Sequence, residues 1–308
     1  MKANVKAKQA LILSMIVFGT VGLFVRGIAL PSAEIALYRA LLAAVTLLIY
    51  LRLKKESLKW QVIRHGLPLL LLSGLAMGLN WILLFEAYHY TTISVATLSY
   101  SFAPVLVTLL SPLLFKERMR RWQGICFGMA FLGLLFIIQP QGGEGDSHLL
   151  GVAFGLSAAM LYASVILLNK AIKGISGAHR TVLQFFAAIL ALVPYVLLTG
   201  GFHLSGLDQN GWALLMALGL VHTGIMYSLY FAAMQSLKGH EIALLSFIDP
   251  LVAVVCSVLF LGEPMSAAQA AGGALILGFT LLSDITMTRR PFAVPPLIYR
   301  MIKWLHIT

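Results

Sequence analysis

Ten apolar runs follow one another through this sequence, each near the length needed to cross a bilayer and joined by short connections. They lie at about 10–28, 34–51, 67–87, 93–115, 122–138, 149–169, 179–199, 211–232, 241–261 and 267–285. Hydrocarbon leaves every exposed backbone amide without a partner, so such runs must be helices that bond internally or strands of a closed barrel. Barrel strands alternate polar and apolar residues, whereas these runs are continuously apolar, so the predicted class is an all-α polytopic membrane protein. A mean hydropathy of +0.91 and 11% charged residues over 308 residues exclude a soluble domain. The connections leave no room for one, and make consecutive runs antiparallel neighbours. Cys126 and Cys256 both fall inside runs and offer neither a disulfide framework nor a metal cluster, so no metal and no cofactor is expected. The first run follows a basic start but precedes no small-residue cleavage site, which reads as a retained helix.

The charges set the orientation. With the N-terminus in the cytoplasm, all of the 22 Lys and Arg except Arg26 and Arg39 fall on the cytoplasmic side. The opposite loops hold Glu34, Glu144, Asp146, Asp208 and Glu263. A net charge of +11 is thereby explained by topology in a cytoplasmic (inner) cell membrane, with anionic lipid rather than nucleic acid as its partner. Both termini are expected in the cytoplasm. The tail, 287–308, places Leu297, Ile298, Met301, Ile302 and Leu305 on one helical face with Trp304 beside it, the pattern of a short interfacial helix or of a frayed end.

An internal repeat runs through the chain. At a constant offset of 146, Phe85 meets Phe231, Leu98 meets Leu244, Pro104 meets Pro250 and Ser111 meets Ser257. Glu117 then meets Glu263, Met119 meets Met265 and Gln123 meets Gln269, while Gly124 and Gly128 meet Ala270 and Ala274. Each copy holds an odd number of runs, so the second enters the membrane upside down. Inverted repeats are an architecture of secondary transporters, with the substrate near midplane between the halves. The division expected is 1–145, 146–286 and the tail 287–308.

In each copy a run with a proline in it ends in a loop containing Glu, and the next run opens on small residues: APVLVTLLSPLLFKERMRRWQGICFG in the first, DPLVAVVCSVLFLGEPMSAAQAAGGA in the second. Together with LYRALLAA in the second run, these segments resemble the EamA-type transporters of the drug/metabolite transporter superfamily. The resemblance covers about residues 10–285. It implies ten helices in two five-helix repeats and transport of small metabolites, amino acids among them. Ala103 departs from its counterpart, Asp249.

Residues common to both copies serve the scaffold, so polar residues that break the match inside the membrane are the candidates for function. Asp249 comes first. It lies about 12 Å into its run, beside Pro250, and an Asp at a helix centre costs roughly 2.5–3.5 kcal/mol to insert. Two roles are open to it: exchanging a coupling proton, or holding a substrate ammonium while ionised. A structural Asp satisfied by a neighbouring helix is the alternative. Pro104 and Pro250 remove a backbone donor and are gating or hinge candidates. Arg39 stands opposite Gln184 and needs a partner; a structural pair with Glu34 or Glu86 is expected, and a substrate carboxylate or phosphate is the functional alternative. His222 falls mid-run, as a proton relay or as a satisfied structural donor. Asn80, Trp81, Tyr100 and Tyr227 are candidates for lining a cavity, and Glu86 is a further unmatched acid. Glu117 and Glu263 look structural, capping or tethering the following helix.

No HExxH, GxSxG, phosphate loop or pair of intramembrane aspartates is present, so no enzyme is expected. The reading is a secondary transporter that exports a small polar metabolite, an amino acid or related amine, by alternating access. A channel or uncoupled facilitator, and a lipid-modifying enzyme using Asp249 and His222, are the alternatives. Oligomeric state is not legible.

Overall fold

The computed structural model describes residues 2–55, 60–115, 121–139, 145–172, 174–237 and 239–287. All regular elements among the described residues are helical: α1 Lys2–Gly19, α2 Val21–Arg26, α3 Ser32–Leu53, α4 Trp60–Tyr90, α5 Ile93–Tyr100, α6 Ala103–Phe115 and α7 Arg121–Ile137. They continue as α8 Gly145–Ala171, α9 Gly177–Thr199, a 3-10 turn Leu204–Gly206, α10 Gln209–Met216, a π segment Ala217–Ile225, α11 Met226–Met234, α12 Gly239–Ser246, α13 Ile248–Leu261 and α14 Ala267–Met287. Eight segments are long and apolar enough to cross a membrane: Val5–Arg26, Ser32–Leu53, Gly66–Tyr90, Ile93–Ser111, Asp146–Ala171, Gly177–Thr199, Gln209–Met234 and Leu244–Leu261. Two further apolar helices, Arg121–Ile137 and Ala267–Ser283, are shorter. The chain is therefore an integral multi-pass membrane protein. The loop with Lys116, Glu117 and Met119, the residue Glu144 and the predicted interfacial helix of the tail lie outside the described residues.

Local chemistry sets the helix ends. Thr92 accepts from Val95 N–H at 3.2 Å, Ser176 from His179 N–H at 3.4 Å, and Asp208 from Gly211 N–H at 2.8 Å, each satisfying an orphan donor of a first turn. Gly262 ends α13 at φ +63°, a left-handed cap that a Cβ would disfavour. Within the apolar segments the ladder is interrupted at Thr20 between α1 and α2, at Ser101–Phe102 between α5 and α6, and at Phe247 between α12 and α13.

Packing joins α4 to α8 and α9, and α3 to α9 and the π segment. It joins α1 to α11, α12 and α13, α8 to α5 and α6, α5 to α13, and α7 to α14. Lipid tails give no hydrophobic push between helices, so close contact here relies on small residues. At the α7–α14 crossing a Cβ on Gly133 would lie 2.6 Å from the Gly272 carbonyl oxygen, and one on Gly272 would lie 2.4 Å from that of Gly133. The largest core cluster centres on α3 and α4, with Ile35, Ala36, Ala40, Phe85 and Phe185 fully buried.

Candidate functional site

A cavity of about 380 Å³ lies between the helices, with Arg39 from α3, Asn80, Trp81 and Tyr88 from α4, and Tyr100 from α5 on its wall. Tyr162 from α8, Tyr227 and Tyr230 from α11, and Phe247, Asp249 and Pro250 from the α12–α13 junction join them, with Phe18, Thr97, Ser101 and Ser246. Pro104, at the α5–α6 junction, faces the same space. The α5–α6 and α12–α13 segments thus present their breaks to one cavity, at positions that the offset of 146 relates: Ser101 corresponds to Phe247 and Pro104 to Pro250.

The break changes the setting expected for Asp249. It does not lie inside a continuous helix but in the first turn of α13, directly after Phe247 and Ile248. There the unpaired N–H groups and the helix dipole favour a negative charge. Pro250 sits in that same turn, where its missing donor costs no bond within α13. It does leave the Ser246 carbonyl without its helical donor, which is why the rod parts there. Gly19 of α1 packs against this point: a Cβ on it would come within 2.6 Å of the Asp249 carbonyl oxygen. The Asp249 carboxyl makes no hydrogen bond and no ion pair with any described residue, and it faces the cavity. Arg39 lines the same cavity, and the two are not joined as an ion pair.

Arg39 corrects a second expectation. It does not pair with Glu34 or Glu86. Its Nε donates to Thr223 Oγ1 at 2.7 Å, and its guanidinium carbon lies 4.5 Å from the Trp81 ring centroid and 5.7 Å from that of Phe85. The reason is helical geometry: five positions along α3 turn Arg39 about 140° from Glu34. Glu34 instead accepts from the backbone N–H of His203 at 2.9 Å and meets its Nδ1 at 2.5 Å. Glu86 is half-buried and does not line the cavity. Thr223 belongs to the π segment, and its hydroxyl also reaches the Leu218 carbonyl, five residues back, at 3.0 Å. Gln184, the repeat counterpart of Arg39, is spent on structure, donating to Ser73 Oγ at 2.8 Å and Asn169 Oδ1 at 2.7 Å.

The aromatic wall is mutually braced. Tyr100 stacks on Tyr162 at 5.3 Å, Trp81 leans on Phe185 at 5.6 Å, and Tyr227 contacts Phe18 at 5.1 Å. Asn80 donates to the Ala158 carbonyl at 2.6 Å, so it ties α4 to α8 while edging the cavity. His222 is buried away from the cavity. Its Nε2 meets Thr20 Oγ1 at 2.9 Å, its Nδ1 meets the Ala217 carbonyl at 3.1 Å, and its ring lies 4.2 Å from Phe24. Those contacts bind the π segment to the break in the first apolar segment. Glu263 does not serve the following helix, which Ser266 and Gln269 cap reciprocally. It accepts instead from Ile93 N–H at 2.8 Å, at the start of α5, and pairs with Arg26. Sequence reasoning missed Tyr88, Tyr162, Tyr230, Phe247 and Thr223. For the tyrosines and Thr223 the signal was a polar tip inside an apolar run; Phe247 carried none beyond its place before Pro250.

The arrangement offers a carboxylate, a guanidinium and several ring faces to a molecule of metabolite size. The sequence profile described as the EamA-like transporter family matches residues 6–139 and again 149–283. An uncharacterized transporter of Bacillus subtilis, YxxF, is 30% identical over 286 residues, 91% of this chain and 89% of the relative. The "Pseudopaline exporter CntI" of Pseudomonas aeruginosa is 28% identical over 80% of this chain and 84% of its own. The "Probable amino-acid metabolite efflux pump" of Salmonella typhimurium is 25% identical over 70% and 77% respectively. A solved crystal structure shares the fold, with a TM-score of 0.62 at 17% identity over 92% of this chain and 99% of the other.

Proposed function

The chain belongs to the EamA-like transporter family, and from that premise we propose that it exports a small zwitterion, an amino acid or a close relative, by alternating access across the cytoplasmic membrane. One observation supports the substrate class above others: the free carboxyl of Asp249 and the buried guanidinium of Arg39 face the same aromatic-lined cavity. Opposite charges lining one cavity complement an ammonium and a carboxylate on one molecule, and the rings stack on its body. A cavity of about 380 Å³ has room for such a molecule. The names of two relatives, an exporter and an efflux pump, favour the outward direction.

Two inverted five-helix halves, both termini cytoplasmic, are the architecture we assign. The packing pairs support it. α4 packs on α8 and α9 as the π-containing segment and α11 pack on α1 and α3. α8 meets α5 and α6 as α1 meets α12 and α13, while α3–α9, α5–α13 and α7–α14 each join an element to its own counterpart. A proton taken up at Asp249 is the coupling ion this reading favours, and anionic lipid is the partner of the basic face. The test is counterflow in proteoliposomes loaded with free amino acids, their N-acetyl derivatives or their amides. Flux of the zwitterions alone is expected; equal flux of the N-acetyl and amide forms would refute the two-charge site.

A further inference from the structure

Resting on the transport reading, we propose that Arg26 and Glu263 form the latch of the outer gate, on the side opposite the basic segments. Three elements lead from the cavity to this pair. On α13, Ala253 lines the cavity and Ser257, one turn or about 6 Å further out, donates to Glu263. On α5, Thr97 lines the cavity, and one turn outward Ile93 N–H donates to Glu263 at 2.8 Å while Ser94 N–H donates to Ser257 Oγ at 3.2 Å. On α4, the Tyr88 ring faces the cavity while its carbonyl accepts from Arg26 Nε at 2.9 Å.

The guanidinium completes the closure. Its Nη2 donates to the Thr91 carbonyl at 2.7 Å and its Nη1 pairs with Glu263. One planar fork therefore holds the end of α4, the start of α5 and the α13–α14 corner together, and a Lys has no such fork. The α4–α5 corner and the α13–α14 corner must part if the cavity is to reach that side. Glu263 is buried at 8% exposure, whereas Arg26 at 32% remains within reach of water, so the pair can be hydrated and released. The opposite end has a looser counterpart, Lys8 with Glu241 at 2.7 Å, its lysine 44% exposed.

Accessibility in intact cells tests the latch. In a background with Cys126 and Cys256 replaced, Ala253→Cys provides a cavity thiol, to be labelled from outside by a membrane-impermeant maleimide. E263Q is expected to raise the labelling rate about tenfold, the effect of weakening a charge-assisted hydrogen bond. R26Q, which leaves the bonds of Glu263 to Ile93 and Ser257 in place, is expected to raise it as well, and R26K to do so partially. A reducible thiol cross-link across R26C and E263C should stop counterflow until it is cleaved. Labelling unchanged in both E263Q and R26Q, or flux undiminished in the cross-linked protein, would overturn the proposal. A parent protein that moves no zwitterion yet shows the labelling change would sink the substrate reading and leave the latch standing.

Discussion

Asp249 and Arg39 contribute in different ways. Replacing Asp249 by Asn keeps shape and removes charge, so flux driven by an imposed pH gradient should vanish while binding of the N-acetyl derivative, which keeps the carboxylate for Arg39 and has no ammonium for Asp249, persists. Unchanged gradient-driven flux would exclude Asp249 as the coupling group. Arg39→Lys removes the planar fork that spans Thr223 and Trp81, and affinity for the zwitterion, measured calorimetrically, should fall about 10–100-fold. Both residues stood out in the sequence because a charge inside an apolar run must have a reason to be there, and both break the repeat. The partner of each was not legible. Glu34 looked near enough to pair with Arg39, yet it turns to His203, and only the folded backbone brings the π segment's Thr223 under the guanidinium. His222, equally unmatched, is spent on Thr20 and Ala217. Being polar and buried does not by itself distinguish a residue that lines a cavity from one that ties two helices.

At the scale of elements, the prolines announced a weakness in two helices, but the rods part just before them, where the carbonyl loses its donor. The π segment had no such announcement. Its sequence, ALGLVHTGI, contains no breaker but glycine, and the wider winding is held by tertiary contacts: Gly219 against Leu42 and Gly224 against Thr46, where a Cβ would come within 2.4 and 2.5 Å. Gly224→Val should therefore push the π segment off α3, costing about 1–3 kcal/mol; a lower melting temperature in detergent together with weaker zwitterion binding checks it, since Arg39 loses its seat as the segment moves. The same logic at the α7–α14 crossing predicts a lower melting temperature for Gly272→Val with little change in substrate affinity, because neither glycine faces the cavity.

For the whole molecule, the ends of the apolar runs and the bias of basic charge were readable because hydrocarbon imposes a length and an anionic leaflet imposes a sign. Which helix lies beside which was not, since tails and side chains are equally apolar; the pairings α3–α9, α5–α13 and α7–α14 appear only in the fold. The orientation predicts that cysteines placed at Asp208 and at Lys54 react from opposite sides of the membrane, the first alone from outside in intact cells. Labelling of both from one side would undo the topology. A last consequence concerns α13, which carries Asp249 on one flank while Leu251, Val255 and Leu259 stand more than half exposed on the other. An element so placed is solvated by acyl chains as much as by protein. The stiffness and thickness of the annulus then enter the energetics of every cycle, and reconstitution in shorter or longer phosphatidylcholines should tune turnover without any change in the amino-acid sequence.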